Sequence, residues 1–405
     1  MGPNPQLPSP QTSLIPVTKV ARAVGWPAGS TPTAAEGLRV NAFAIGLDHP
    51  RWLHVLPNGD VLVAESNGPA DRVRPGGIRG WFMRRILRKA GAAVPSADRV
   101  TLLRDADGDG VAETRSIILS GVKSPFGMTL VGDALYVAAT DALLGYPYRE
   151  GQLTITGLPV RVVELPAGRI NYHWTKTVVA NADGSRFYVT VGSNSNVGEK
   201  GLENERDRAA ILEVDPTAGT YRVYASGLRN PVGLAWHSDG LWTTVNERDE
   251  LGSDLVPDYL ARVTDGAFFG WPWSYFGSHV DGRVKPARPD LVARAMRPDY
   301  ALGAHTGSLG LASSAGNTLP ERFRDGVFVG QHGSWNRDPF SGYQVIFVPF
   351  AGGRPTGALP IPVLTGFLDS KEQARGRPVG VAVDTRGALL VADDVGNVIW
   401  RVTAR

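Results

Sequence analysis

The sequence predicts an all-β protein, a six-bladed β-propeller whose N- and C-terminal strands close one blade. Three observations carry this. An apolar run, a polar turn and a second run of strand formers recur together six times along the 405 residues. Further strand-like runs lie between the copies, such as Ala210 to Val214 with Thr220 to Tyr224, and bring each repeat to four strands. The 49 glycines and 30 prolines supply the turns that many short strands need, while long helical periodicity is nearly absent.

The clearest copy runs from Gly227 to Asp249. Arg229, Asn230 and Pro231 lead into the apolar run Val232 to Trp236, Ser238-Asp-Gly240 makes the turn, and Leu241 to Val245 follows. Antiparallel neighbours bring the loop before the first run to the end of the second. Arg229, Asn230, Glu247, Arg248 and Asp249 are therefore expected on one face. The other copies open at Gly46-Leu-Asp-His-Pro-Arg-Trp, Gly121-Val-Lys-Ser-Pro-Phe-Gly, Asn171-Tyr-His-Trp-Thr, Gly310-Leu-Ala-Ser-Ser-Ala-Gly and Gly376-Arg-Pro-Val-Gly. The segment Leu38 to Ile45 has no blade of its own. It is expected to pair with Val398 to Val402, so that no ring edge stays open.

Residues 1–34 read as an extended N-terminal arm or a disordered tail, and residues 35–405 as the propeller domain. The arm has neither a basic n-region nor an apolar h-region, so no signal peptide is visible. No apolar run approaches the roughly 18 residues a membrane span needs. With 42 basic and 39 acidic residues the net charge is +3, which gives no bulk electrostatic case for nucleic acid. The absence of cysteine excludes disulfides, thiolate metal sites and cysteine nucleophiles, and is compatible with an oxidising compartment.

After the first copy comes an insertion, Gly76 to Gly91, with Ile78, Trp81, Phe82, Ile86 and Leu87 among Arg79, Arg84, Arg85, Arg88 and Lys89. Its spacing predicts a short amphipathic helix with a basic outer side. The readings are a helix capping the side of the propeller, contact with a membrane surface, or docking of an acidic electron acceptor. Next, Asp105, Asp107, Asp109 and Glu113 alternate before glycines, as in an oxygen-rich calcium loop. The twelfth position from Asp105 is Ser116 rather than Glu. This leaves a structural calcium site held by Glu113, or a plain acidic β-turn.

Chemistry concentrates in the loops before each first strand and after each second strand. They pool Asp48, His49 and Arg51; Tyr172, His173, Trp174 and Lys176; Ser193, Asn194 and Asn196; Arg229 and Asn230; Gln331-His-Gly-Ser-Trp-Asn-Arg337; and Arg377, Asp393 and Asp394. Rich in Arg, His, Asn and Trp, this mouth suits a flat, multiply anionic ligand. Its rim is expected from the loops Gly266 to Arg283 and Ala301 to Ser314.

These motifs, in this order, resemble the soluble pyrroloquinoline quinone (PQQ)-dependent sugar dehydrogenases, and most closely their L-sorbosone dehydrogenase branch. The resemblance runs from about residue 35 to the C-terminus. It rests on Gly46-Leu-Asp-His-Pro-Arg-Trp, Val100-Thr-Leu-Leu-Arg-Asp-Ala-Asp-Gly-Asp-Gly, Gly227-Leu-Arg-Asn-Pro, Val256-Pro-Asp-Tyr with Gly270-Trp-Pro-Trp, and Gln331-His-Gly-Ser-Trp-Asn-Arg337. It implies PQQ over the central channel, calcium bridging cofactor and protein, and oxidation of a sugar or sugar aldehyde by hydride transfer to the quinone. It also implies an electron acceptor such as a cytochrome or quinone, and a periplasmic or secreted location.

By the same resemblance His173 is the base, and Arg229 and Asn230 meet the quinone. Arg51, Lys176, His332, Trp335, Arg337 and Arg377 are candidates for holding the cofactor. Backbone carbonyls near Arg248 and Asp249, with Asp254 close by, are candidates for its calcium. Two alternatives remain: a metal-dependent lactonase on the same kind of propeller, which needs a carboxylate and amide cluster in the channel, and a noncatalytic binding propeller.

Overall fold

The computed structural model describes residues 1–11, 18–73 and 76–405, with the side chains of residues 78 and 79 outside the description. Each repeat folds as one antiparallel sheet. Blade 1 consists of Pro50–Val55, Val61–Glu65, Arg99–Arg104 and Thr114–Ser120, and blade 2 of Met128–Val131, Ala134–Ala138, Ala142–Pro147 and Val160–Glu164. Val178–Ala180, Phe187–Val191, Ala210–Asp215 and Thr220–Ser226 form blade 3; Pro231–His237, Gly240–Val245, Pro257–Val263 and Tyr300–Ala304 form blade 4. Blade 5 holds Ser308–Ser313, Gly326–Gln331, Gln344–Ala351 and Ile361–Thr365. Blade 6 takes Pro378–Val383, Leu389–Asp393 and Val398–Ala404 from the C-terminus and Leu38–Ile45 as its outermost strand. The register runs from Leu38 opposite Ala404 to Ile45 opposite Val398. The closure expected from the unassigned N-terminal strand is thus present.

In blades 1, 3, 4, 5 and 6 the second strand is buried at every position. Each such strand has a neighbouring blade on both faces, so it reads as a continuous run rather than an alternating one. Apolar side chains fill the space between blades: Phe328 and Phe347 of blade 5 join Val391 and Trp400 of blade 6 in one cluster.

The innermost strands of blades 1, 4, 5 and 6 shift register near their first residues, between Pro50 and Trp52, Pro231 and Leu234, Ser308 and Gly310, and Pro378 and Val381. Proline suits the first position of a strand, where no ladder donor is needed. A bulge there turns the flanking side chains. The residues involved include Arg51, Asn230 and Arg377, all from the pooled mouth set.

The arm wraps the ring. Gly2 bridges to Ala301, the Gln11 N–H donates to the Leu251 carbonyl at 2.9 Å, and Thr33–Ala34 adds a strand to blade 5. Trp26 packs edge-on against Phe367 and Trp400, and its Nε1–H donates to Asp393 at 2.7 Å. Residues 12–17 of the arm lie outside the described residues.

The insertion is helical over Gly77–Lys89, with Arg88 and Lys89 in its last turn, where they complement the helix dipole. Its position corrects the expectation of a cap on the side of the propeller. Gly80, Met83, Ile86, Leu87 and Ala90 line the cavity over the channel mouth. The Ala23 N–H donates to the Lys89 carbonyl at 2.8 Å, tying the arm to the helix end. Trp81 and Phe82 lie on the opposite side, 51% and 57% exposed. The Ile78 and Arg79 side chains fall outside the described residues. No helix among the described residues is long and apolar enough to cross a membrane.

The acidic loop joins the third and fourth strands of blade 1, at the end away from the mouth. Carboxylate oxygens of Asp105, Asp107, Asp109 and Glu113 lie within 4.8 Å of one another. Asp105 accepts the N–H groups of Gly108 and Gly110 at 2.7 and 3.0 Å, and Arg386 pairs with it at 2.8 Å.

Candidate active site

His173 stands in the loop that enters blade 3. Its Nδ1 lies 2.8 Å from the Ser193 carbonyl oxygen. A carbonyl only accepts, so Nδ1 carries the proton and Nε2 keeps its lone pair. Burial, reinforced by the nearby Arg229 charge, holds the imidazole pKa well below 6.5. His173 is therefore neutral, with one defined basic nitrogen.

Arg208, which the sequence reading did not single out, fixes this loop. The buried guanidinium donates to the backbone oxygens of His173 at 2.9 Å, Gly192 at 3.0 Å and Pro166 at 2.9 Å. Burial lowers its pKa to about 10. Gly192 has to be glycine: a Cβ there would stand 2.2 Å from Asn230 Oδ1 and 2.5 Å from the His173 Cβ. The sequence carries no signal for either residue beyond their place in a loop.

Blade 4 supplies Arg229, which is 2% exposed. Its Nη1 donates to the Glu247 carbonyl at 2.7 Å, and its Nη2 to Asn196 Oδ1 at 3.0 Å and Asp249 Oδ2 at 3.2 Å. Asn336 donates to the other Asp249 oxygen at 2.5 Å, and His305 lies 3.6 Å from it. The Arg229 cation, joined by these hydrogen bonds, keeps the Asp249 carboxyl below its usual range despite burial.

Across the channel, blades 5, 6 and 1 meet at Asp394. His332 Nε2 approaches its carboxylate at 2.9 Å, Arg51 pairs with it, and His49 Nδ1 stands 3.1 Å from its carbonyl oxygen. Against the cost of burial, His332, His49 and Arg51 hold the Asp394 carboxyl far below the normal range. Burial lowers the His332 pKa to about 4. Beside this group lies Arg377, 3% exposed, its guanidinium carbon 4.8 Å from the Tyr343 ring centre. Its Nη1 donates to the His332 carbonyl at 3.3 Å, but Nε and Nη2 are buried with no hydrogen-bond partner.

A cavity of about 330 Å³ joins the two sides, lined by His173, Arg229, Asp249, His332, Trp335 and Arg377 among others. Other candidates fall elsewhere. Arg51 packs behind Asp394, 5.9 Å from the Trp174 ring centre, and Asn230 stands behind His173 with a buried, unpartnered Oδ1. Lys176 is fully buried, with only a 3.4 Å contact to the Trp174 carbonyl, and burial depresses its pKa strongly.

Arg337 does not reach the cavity. It donates to the Ser253 carbonyl at 2.8 Å, the Pro339 carbonyl at 2.7 Å and the exposed Asp254 at 2.7 Å. Of the carbonyls expected near the cofactor's calcium, that of Asp249 is engaged within the protein. Arg248 is sealed between Glu247 and Asp281, and the Asp249 carbonyl accepts from Asn196 at 3.2 Å and Arg283 at 2.9 Å. The rim differs as well: the helix and arm line it, and no residue of 266–283 or 301–314 does.

Fold and site together define a propeller with a cationic, histidine-bearing channel mouth. The TrAA12-like family model matches residues 97–258 and 291–405, and the chain belongs to that family. It is 24% identical over 360 residues to a pyrroloquinoline quinone-dependent pyranose dehydrogenase of Coprinopsis cinerea, covering 78% of this chain and 44% of that protein. An uncharacterized protein of Borreliella burgdorferi is 28% identical over 241 residues, 59% of this chain and 62% of that protein. The chain thus spans about half of the lengths of these relatives.

Among solved structures, the holo form of the Coprinopsis pyranose dehydrogenase PQQ domain aligns with TM-score 0.72 at 20% identity, over 95% of this chain and 100% of that one. The PQQ-bound aldose sugar dehydrogenase of Streptomyces coelicolor aligns with TM-score 0.57 at 17% identity, over 93% and 100%. At these identities the fold is what is shared.

The residues present fit an anionic quinone. Arg377, with two buried N–H groups that have no hydrogen-bond partner, lines the same cavity as Arg229, and that lining has one carboxylate among the described residues, Asp249, with both oxygens already engaged.

Proposed function

We propose that the protein is a PQQ-dependent oxidoreductase that oxidises a sugar or sugar aldehyde, of the aldose or sorbosone type. The observation that carries this is the pair of buried Arg377 donors without an acceptor, in the same cavity as a neutral histidine with a fixed tautomer. Arginine forks match carboxylates, and a buried cation missing a partner is costly until an anion arrives. When bound, PQQ supplies the two-electron acceptor that takes the substrate's hydride.

The chain's own residues do the rest. His173 Nε2 takes the proton of the substrate hydroxyl, and its Nδ1–H stays on the Ser193 carbonyl. Arg229, already oriented by Asn196 and Asp249, presents a permanent positive charge where negative charge develops. Trp335, 37% exposed at the mouth, offers a face for a ring to stack on. Arg377 anchors a carboxylate, while Arg51 acts through Asp394. Calcium belongs by this reading to the loop of Asp105, Asp107, Asp109 and Glu113. The lactonase reading loses ground to the single, fully engaged carboxylate of the cavity.

The test is an absorption spectrum after adding PQQ and calcium, then sugar. Uptake of the chromophore followed by bleaching is expected. A protein that takes up no PQQ sinks the reading, and one that binds it but is not reduced by any of a panel of aldoses and aldehydes sinks the substrate class.

A further inference from the structure

The cavity has two unlike halves. Its floor carries the charged and hydrogen-bonding groups of Arg229, Arg377, His173, His332 and Asp249, whereas its roof is mostly aliphatic, with Arg84 of the helix and Arg72 beside it. Val20 of the arm, Met83, Ile86 and Leu87 of the helix, and Ala92 and Ile170 from flanking loops form that roof. From the geometry we infer that the substrate is amphiphilic: a hydroxyl or hydrated aldehyde at the floor, with an alkyl or aryl part remote from the reacting carbon held under the roof. This rests on the proposed function and names the substrate class for the same site.

A free sugar is a poor match for such a roof. Its hydroxyls, pressed against Met83, Ile86 and Leu87, would lose water without gaining a partner, at roughly five- to hundredfold in affinity each. A methylene in the same place gains about fourfold. Aromatic stacking on Trp335 at the mouth serves a sugar ring, but Val20, Met83, Ile86 and Leu87 overhead offer no hydroxyl, amide or carboxylate to a second polar ring, and the polar groups beside them are the cations Arg72 and Arg84. The helix is not apolar here because it is buried on all sides: Trp81, Phe82, Arg85, Arg88 and Lys89 are exposed and outside the lining, while Met83, Ile86 and Leu87 turn inward and Arg84, exposed, stands at the edge of the cavity. Covering the reacting centre alone would not need that division across a lined cavity that continues from the floor. Reaction balance is unchanged: the hydroxyl proton goes to His173, and the hydride with its electron pair to the quinone.

The experiment compares D-glucose with 6-O-octyl-D-glucose on the full chain loaded with PQQ. The same octyl compound is titrated calorimetrically into the cofactor-free protein. A kcat/KM at least tenfold higher for the octyl sugar is expected, since about four buried methylenes suffice many times over. Calorimetry should show binding with negative heat-capacity change. In Leu87→Asn and, separately, Met83→Gln, the octyl-to-free ratio should fall toward one. Both positions are part-exposed, and thermal unfolding identifies a variant that does not fold, in which case the other decides. Equal kcat/KM for the two sugars overturns the inference and leaves the proposed function standing. If neither sugar reduces the bound cofactor, the glucose-type substrate fails, and if no PQQ is taken up, the proposed function fails. Calorimetry then decides alone: octyl binding weakened by the variants supports the roof, and no binding overturns it.

Discussion

The two sides of the channel each present a histidine and an arginine, and use them in opposite ways. On the blade 3 side, His173 leans on a carbonyl, with the Arg229 charge nearby and no carboxylate in hydrogen-bonding contact. On the other side, His332 is bound to the Asp394 carboxylate, which Arg51 also grips. A carbonyl fixes a tautomer and leaves the second nitrogen available; a carboxylate occupies the nitrogen it meets. Two loops of similar composition thus divide into a side that can move a proton and a side that holds charges still.

The largest expected effect breaks the first side. His173→Gln keeps the size and removes the proposed base, and should slow cofactor reduction by roughly 10² to 10⁴. PQQ affinity should change much less. Stopped-flow reduction with cofactor affinity measured in parallel checks it, and a parent-like rate would move the base to His332. Gly192→Ala should act in the same direction, because the new methyl displaces His173 or Asn230.

Breaking the second side should cost stability before activity. Asp394→Asn leaves the part-buried Arg51 and His332 without their buried anion, a loss of up to about 3 kcal/mol, read as a shift of the denaturation midpoint. The pH dependence has a defined sign. His332 falls from 6.5 in the unfolded chain to about 4 in the fold, so the unfolded state binds more protons between those values. The His332 contribution is full above about pH 6.5 and declines toward pH 4, opposed in part by Asp393, which burial raises to about 6. Asp394, depressed in the fold, adds a further loss below about pH 4, where the unfolded carboxylate takes up its proton first. Asp394→Asn should flatten that acid limb. An unchanged limb would mean that other carboxylates set it.

Arg377 sharpens the contrast, since its unpartnered donors favour a ligand at the expense of the empty fold. Arg377→Met should weaken PQQ binding by about 10- to 100-fold, the value of one or two charge-assisted hydrogen bonds. The cofactor-free protein should melt at the same temperature or higher. A drop in both would show that Arg377 mainly braces the loop of His332 and Gly333.

Ring closure, six repeats and the loops that carry chemistry were legible because each is written in local order: an apolar run, a turn, a second run. That His173 and Arg229 share one cavity was legible from motif wording. Arg337 misled because the same wording does not say which way a side chain turns, and it finds carbonyls and a carboxylate outside the cavity. The roof was hidden for another reason. Met83, Ile86 and Leu87 show a helix by their spacing, but where that helix lands depends on loops on both sides of it and on the arm carrying Val20.

The smallest effect lies at the other end of blade 1, where the donor and acceptor roles of the mouth are reversed. There four carboxylates converge and the cation beside them is Arg386, 49% exposed on its side chain and paired with Asp105 at 2.8 Å. An exposed pair of this kind contributes about 0–1 kcal/mol. Without calcium, Arg386→Gln should therefore leave stability within about 1 kcal/mol of the parent. With calcium the two proteins should separate, because the variant frees an Asp105 oxygen and removes a competing charge. The measurement is thermal unfolding in chelator and in millimolar calcium. A calcium-dependent rise in midpoint, larger in Arg386→Gln than in the parent, identifies a metal loop. If neither protein responds to calcium, the loop is an acidic turn, closed by its own N–H groups at Gly108, Gly110 and Val111 and by Arg386.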